Sequence, residues 1–182
     1  MIDTHCHIDD PQYAEGLDAF LADQRENGVE AILVPGVEAS TTQDVLSVCD
    51  RYPGYLFPAL GLHPENVKED WREQLASIKA AVDTSLASTP YTLHPTPRRS
   101  RLIAIGEIGL DYHWDVTFKA EQQEALREQL RWAEQYGLPV MIHSRDATED
   151  TLNILREFPS VRGVMHCFSG SHEVAKQVVD MG

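Results

Sequence analysis

"RLIAIGEIGL", Arg101–Leu110, is apolar or glycine at every position after the arginine except Glu107. A strand with one wet face alternates apolar and polar residues, whereas a strand covered on both faces reads as an unbroken apolar run. The stretch is therefore predicted to be a strand of a parallel sheet flanked by helices. Its lone carboxylate then needs a partner. A buried, unpaired carboxylate is costly, and a bound metal ion compensates it.

The same pattern recurs on either side. "MIDTHCHIDD", Met1–Asp10, holds a first apolar stretch, Ile2–His7. "VEAILVPGV" (Val29–Val37) and "YLFPALGLHP" (Tyr55–Pro64) read as the second and third strands. "LPVMIHSRD" (Leu138–Asp146) and "VRGVMHCFSG" (Val161–Gly170) read as the fifth and sixth. Segments with helical spacing alternate with them: about 13–27, closed by Gly28; 41–52, with Val45, Val48, Cys49 and Tyr52 recurring; 66–87; 121–136, stopped by Gly137 and Pro139; 148–158; and 171–181. The result is a single α/β domain, 1–182, of six βα units in series. An open doubly wound sheet and a (β/α)8 TIM-type barrel both fit. No G-x-G-x-x-G follows the first strand, which removes the main dinucleotide-binding signal. Eight such units would need about 240 residues, close to the usual barrel length of about 250. A barrel built from this chain would therefore stop about two units early.

Composition narrows the class. Hydrophobic residues at 42% and charged residues at 24% suit a globular protein. No apolar run approaches the roughly 20 residues of a membrane helix, and no basic, apolar leader stands at the start. The three scattered cysteines, Cys6, Cys49 and Cys167, do not make a disulfide framework, so a reducing, cytoplasmic setting is expected. A net charge of -14 argues against a protein that coats nucleic acid with a basic face. Only "HPTPRRSR", His94–Arg101, gathers cations (Arg98, Arg99 and Arg101), and it is expected to be a solvated loop.

Polar residues cluster at one end of the predicted strands. The first ends in His5 and His7, the third in His63, the fourth in Glu107, the fifth in His143 and the sixth in His166. In parallel α/β proteins those ends form one rim, where active sites gather residues distant in sequence. Imidazole nitrogen with carboxylate oxygen suits Zn²⁺, Mn²⁺, Fe²⁺ or Ni²⁺, and carboxylate with water suits Mg²⁺. Alternation along a strand puts His5 and His7 on one side and Cys6 on the other, with Cys167 likewise opposite His166. Cys6 and Cys167 are expected to pack between strand and helix. His94, His113 and His172 are expected to lie outside the site.

Five motifs, "DTHCHID" (Asp3–Asp9), "ALGLHPE" (Ala59–Glu65), "AIGEIGLDYHWD" (Ala104–Asp115), "MIHSRDA" (Met141–Ala147) and "HCFSGS" (His166–Ser171), together resemble the TatD-type metal-dependent hydrolases, of the amidohydrolase-like barrel superfamily. The resemblance implies a deoxyribonuclease that cleaves DNA, as single strands or ends, using two divalent metal ions: Mg²⁺ or Mn²⁺ in the cell, with Zn²⁺ able to copurify. It implies His5 and His7 on the first metal, Glu107 as the catalytic bridge, and His143 with His166 on the second. It places His63, Tyr112 and Arg145 near the scissile phosphate. The family also carries an aspartate at the end of its eighth strand, and Asp146, Asp150 and Asp180 lie in other elements. Three explanations are open: a portion of a longer enzyme, a short chain completed by self-association through unpaired edges of the first and sixth strands, or an inactive metal-binding fragment. The alternative reaction is ester, amide or lactone hydrolysis, because the rim ligands alone do not choose a leaving group. Many barrels of the superfamily bridge their metals with a carboxylated lysine, so a glutamate in that place leans towards the nuclease branch.

Overall fold

The computed structural model describes residues 1–87 and 102–182; the basic cluster His94–Arg101, including His94 itself, lies outside the described residues. Six strands, β1 (Ile2–Asp3), β2 (Ala31–Pro35), β3 (Leu56–Leu60), β4 (Ala104–Asp111), β5 (Val140–Arg145) and β6 (Gly163–Met165), form one sheet in chain order, each pair parallel. The helices α1 (Leu17–Glu26), α2 (Thr42–Arg51), α3 (Trp71–Ala87), α4 (Lys119–Tyr136), α5 (Thr148–Leu155) and α6 (His172–Met181) follow the strands in turn. Among the described residues no helix is long and apolar enough to cross a membrane.

The sheet is curled, which decides between the two predicted architectures. Neighbouring strands lie about 4.8 Å apart, so a flat sheet would separate β1 from β6 by roughly 24 Å. Yet His5, just past β1, stacks on His166, just past β6, with ring centroids 3.5 Å apart. Nδ1 of His5 also lies 3.2 Å from Sδ of Met141 on β5. The strands therefore wrap as an incomplete (β/α)8-type barrel.

Side-chain alternation divides the core accordingly. Leu33, Ala59, Ala104 and Met141 form a small cluster on the concave face. Their neighbours Ile32, Leu60, Ile105 and Ile142 face outwards and join Leu21, Val45, Ile78 and Leu126 of the helices in the main core. β4 and β5 approach closely: a Cβ on Gly109, whose φ is 152°, would stand 1.9 Å from the His143 carbonyl oxygen. Glycine is required there.

Three element bounds, the end of β1 and the starts of α1 and α3, differ from expectation for local reasons. β1 pairs only over Ile2–Asp3 because the Asp3 carboxylate takes the His5 N–H at 3.0 Å, although Cys6 N–H still reaches the Leu33 carbonyl at 3.1 Å. Pro11 opens a 3-10 turn, Pro11–Tyr13, capped by Asp10, and the left-handed Gly16 delays α1 to Leu17. Pro64 opens a second turn, Pro64–Asn66, so α3 starts at Trp71. Cys6 packs against the core as expected. Cys167 does not: the chain turns away after β6 with Cys167 at a φ of 47°, leaving it exposed.

Candidate metal centre

Glu107 sits in an irregular stretch of the sheet. The β4–β5 register shifts between Ile105 and Ile108, and such a bulge re-aims the side chains within it. Its carboxylate, 3% exposed as a residue, points into a ring of imidazoles. Oε2 lies 3.3 Å from His5 Nε2 and 3.9 Å from His7 Nε2, while Oε1 lies 3.2 Å from His143 Nδ1 and 3.7 Å from His63 Nε2. The two oxygens thus serve two different sets of histidines. His5 Nε2 and His7 Nε2 are 3.0 Å apart, so the two rings meet on one side of the chain that leaves β1.

Among the described residues, two groups could each hold a metal ion: His5, Glu107 and His166, and His63, Glu107 and His143. Nitrogen and carboxylate oxygen are the donor set that borderline divalent ions prefer. The buried carboxylate compensated only by imidazoles also fits a cation, because neutral rings leave its charge without a formal partner.

The surroundings prepare each donor. Burial pushes the His5 pKa down to about 4, so the ring is neutral with a free lone pair. His166 is likewise lowered, chiefly by burial. Burial works against charge on Glu107, but hydrogen bonds from His143 and His63, with His5 close by, outweigh it and hold the carboxyl well below the usual range. His143 is opposed by burial too, yet Glu107 and Asp111 together raise it above its ordinary value.

Asp111 is the residue that sequence reasoning missed. It is buried, and its Oδ2 lies 2.8 Å from His143 Nε2, on the far side of the ring from Glu107. A carboxylate there accepts the Nε2–H and fixes the ring with Nδ1 aimed at Glu107, the usual outer support of a histidine that would exchange its Nδ1 proton for a metal ion. The signal was present: "IGEIGLD" closes an apolar run on a second carboxylate, as Glu107 interrupts it.

His63 is placed differently from the other rings. Its Nδ1 accepts the Glu65 N–H at 3.2 Å, capping the second 3-10 turn. A nitrogen that accepts carries no proton, so neutral His63 holds its proton on Nε2 and presents a donor to the cluster, not a lone pair. The backbone around these groups is pinned by two glutamines of α4. Gln129 Oε1 accepts Leu62 N–H at 2.7 Å and Gln122 Oε1 accepts Asp111 N–H at 3.0 Å.

The structure therefore gathers His5, His7, His63, Glu107, His143 and His166. It groups His166 with His5, where the motif resemblance grouped it with His143. Arg145 stands at the end of β5 with its guanidinium 5.2 Å over the Trp114 ring. Tyr112 is turned away: its hydroxyl donates to Asp150 at 3.0 Å and accepts from Gln123 at 2.9 Å. Burial pushes that hydroxyl up to about 12, so it stays protonated. His113 pairs with Asp146 at 2.7 Å, outside the cluster.

A family model described as TatD related DNase matches residues 2–182. An uncharacterized metal-dependent hydrolase of Bacillus subtilis (strain 168), YabD, is 36% identical over 100% of this chain and 66% of its own length. The human deoxyribonuclease TATDN3 is 29% identical over 100% of this chain and 65% of its own. The crystal structure of YjjV, a TatD homolog from Escherichia coli K12, superposes with a TM-score of 0.83 at 34% identity, covering 100% of this chain and 65% of that one. The chain thus spans about two thirds of the length of the relatives it matches.

Proposed function

The chain belongs to the TatD related DNase family, and on that premise we propose that its rim is a two-cation site for hydrolysis of DNA phosphodiester bonds. The observation that carries this reading is the division of Glu107: one oxygen faces His5 and His7, the other faces His143 and His63. A carboxylate so divided suits a bridge between two divalent ions. His5, His7 and His166 would hold an ion on the Oε2 side, and His143 one on the Oε1 side. Mg²⁺ or Mn²⁺ fits cellular use, and the nitrogen-rich set also accepts Zn²⁺. Bound there, such ions would supply positive charge beside the phosphate and leaving oxygen and would make water a stronger acid.

The chain's own residues do the rest. Asp111 fixes the His143 ring. Neutral His5 keeps its lone pair at working pH. His63 offers its Nε2 proton to a phosphate oxygen held against Glu107, a position that a pure ligand could not serve. Arg145, exposed on the rim, supplies a cation to an adjacent phosphate. The centre thus places positive charge locally in a protein whose net charge is -14.

The test is hydrolysis of a labelled single-stranded oligonucleotide with Mg²⁺ or Mn²⁺, beside a panel of carboxylic esters, amides and lactones. Metal-dependent cleavage of the oligonucleotide that disappears in Glu107→Ala supports the proposal. Turnover of the carbonyl substrates with none of the oligonucleotide overturns it in favour of another amidohydrolase-type reaction.

A further inference from the structure

Beside the cluster lies a feature that metal binding does not use. Trp114, in the loop between β4 and α4, is 71% exposed. Exposing an indole is unfavourable, and this one is not left loose. His113, its neighbour, is anchored by its N–H to Asp111 Oδ1 at 2.9 Å and by its ring to Asp146 at 2.7 Å. That ring meets the indole edge-on, with centroids 4.6 Å apart at 86°. The Arg145 guanidinium lies over the indole at 5.2 Å, a cation–π distance. Asp115, the next residue, caps Thr117 N–H at 2.8 Å and pairs with Lys68 at 3.6 Å.

The indole also walls a cavity of about 240 Å³ shared with Phe118, Glu65, Lys68, Asp115 and Asp111. Two of its lining residues also bond to the histidine cluster: Asp111 Oδ2 holds His143 Nε2 at 2.8 Å, and the Glu65 N–H donates to His63 Nδ1 at 3.2 Å. Its chemistry is aromatic and carboxylate-rich. A phosphate would be repelled by Glu65 and Asp115, whereas a flat, neutral ring with N–H donors would stack on the indole and donate to the carboxylates.

We propose that Trp114, backed by Arg145, is a stacking platform that seats an unpaired nucleobase of a single strand in this cavity while the adjoining phosphate enters the metal cluster. This rests on the phosphodiesterase reading above and adds to it a residue that positions the substrate. A base inside a duplex has both faces covered by its neighbours, so only a frayed end or a single strand can lend one to the indole. Aromatic platforms of this kind favour single strands without strong sequence preference.

Binding of a fluorescein-labelled, phosphorothioate-linked oligothymidylate in Mg²⁺ tests it, with a matched oligomer carrying an abasic terminal residue. For the unmodified chain the base-bearing oligomer is expected to quench tryptophan emission, and the quenching is expected to vanish in Trp114→Phe. Trp114→Ala is expected to weaken the base-bearing oligomer about tenfold or more. It should leave affinity for the abasic oligomer unchanged, and Trp114→Phe should retain most of the affinity. Equal affinity of the Trp114→Ala and unmodified chains for the base-bearing oligomer, with cleavage of DNA intact, overturns the platform and leaves the phosphodiesterase reading standing. No binding of either oligomer by the unmodified chain overturns both.

Discussion

The middle of the sheet and its two edges are built differently, and the metal cluster is shared between them. β4 is buried along its whole length, and Ile105, Ile108 and Leu110 have no measurable exposure. At the edges Ile2 is 58% and Val164 41% exposed, and α6 buries no residue. Glu107, Asp111, His63 and His143 come from the buried middle, while His5, His7 and His166 come from beside β1 and β6. Half of the site is therefore positioned by packing. The other half is held by contacts between imidazoles that a cation would draw together. The difference implies that metal binding and edge stability would be coupled, since ligation by His5 and His166 would tie the β1 end to the β6 end.

The largest expected effect strikes the group that both halves share. Glu107→Ala should lower phosphodiester hydrolysis by about three orders of magnitude, roughly 4 kcal/mol in barrier, and should abolish metal-induced thermal stabilisation. A chain that still gains stability from Mn²⁺ after this change would place the metal elsewhere. Next comes packing: Ile105→Ala, in the fully buried middle, should cost about 2–5 kcal/mol in denaturant unfolding. If that cost matched an edge substitution, the contrast between regions would collapse.

Asp111→Asn should weaken metal binding about 10–100-fold by titration calorimetry, because the amide no longer takes a full charge-assisted bond from His143. The fold should survive, since the Asp111 N–H still reaches Gln122. A pH effect follows from His5. The unfolded ring titrates near 6.5 and the folded ring at about 4, so the unfolded state binds more protons between those values. Stability of the metal-free chain should fall as pH falls from 6.5 to 4, and His5→Phe should flatten that part of the profile. An unchanged slope would show that the ring is not held neutral. Smallest of all, Val179→Ser, on the exposed face of α6, should shift stability by less than about 0.5 kcal/mol.

Much of this arrangement is legible in the sequence. Apolar runs such as Leu102–Leu110, broken only by Glu107, announce a strand covered on both faces, and the period of the pattern locates six βα units. Histidines and one glutamate at strand ends announced the rim, because a polar residue ending an apolar strand in a parallel sheet has one shared place to go. What stayed hidden depended on local geometry. The bulge between Ile105 and Ile108 changes which way Glu107 and Asp111 face, and strict alternation has no term for it. The 3-10 cap that fixes the His63 proton arises from Pro64, and so turned an expected helix start into a tautomer-setting contact. The grouping of His166 with His5 depends on how tightly the sheet curls, a property of the whole barrel that no single motif encodes.

The central claim is that Glu107 divides its two oxygens between two cations. The most direct measurement is the stoichiometry and magnetic coupling of Mn²⁺ bound to the chain, by calorimetry and electron paramagnetic resonance. The account predicts two ions per chain with a spin-coupled signal, reduced to uncoupled or absent ions in Glu107→Gln. A single ion with an uncoupled spectrum, unchanged by that substitution, would contradict it.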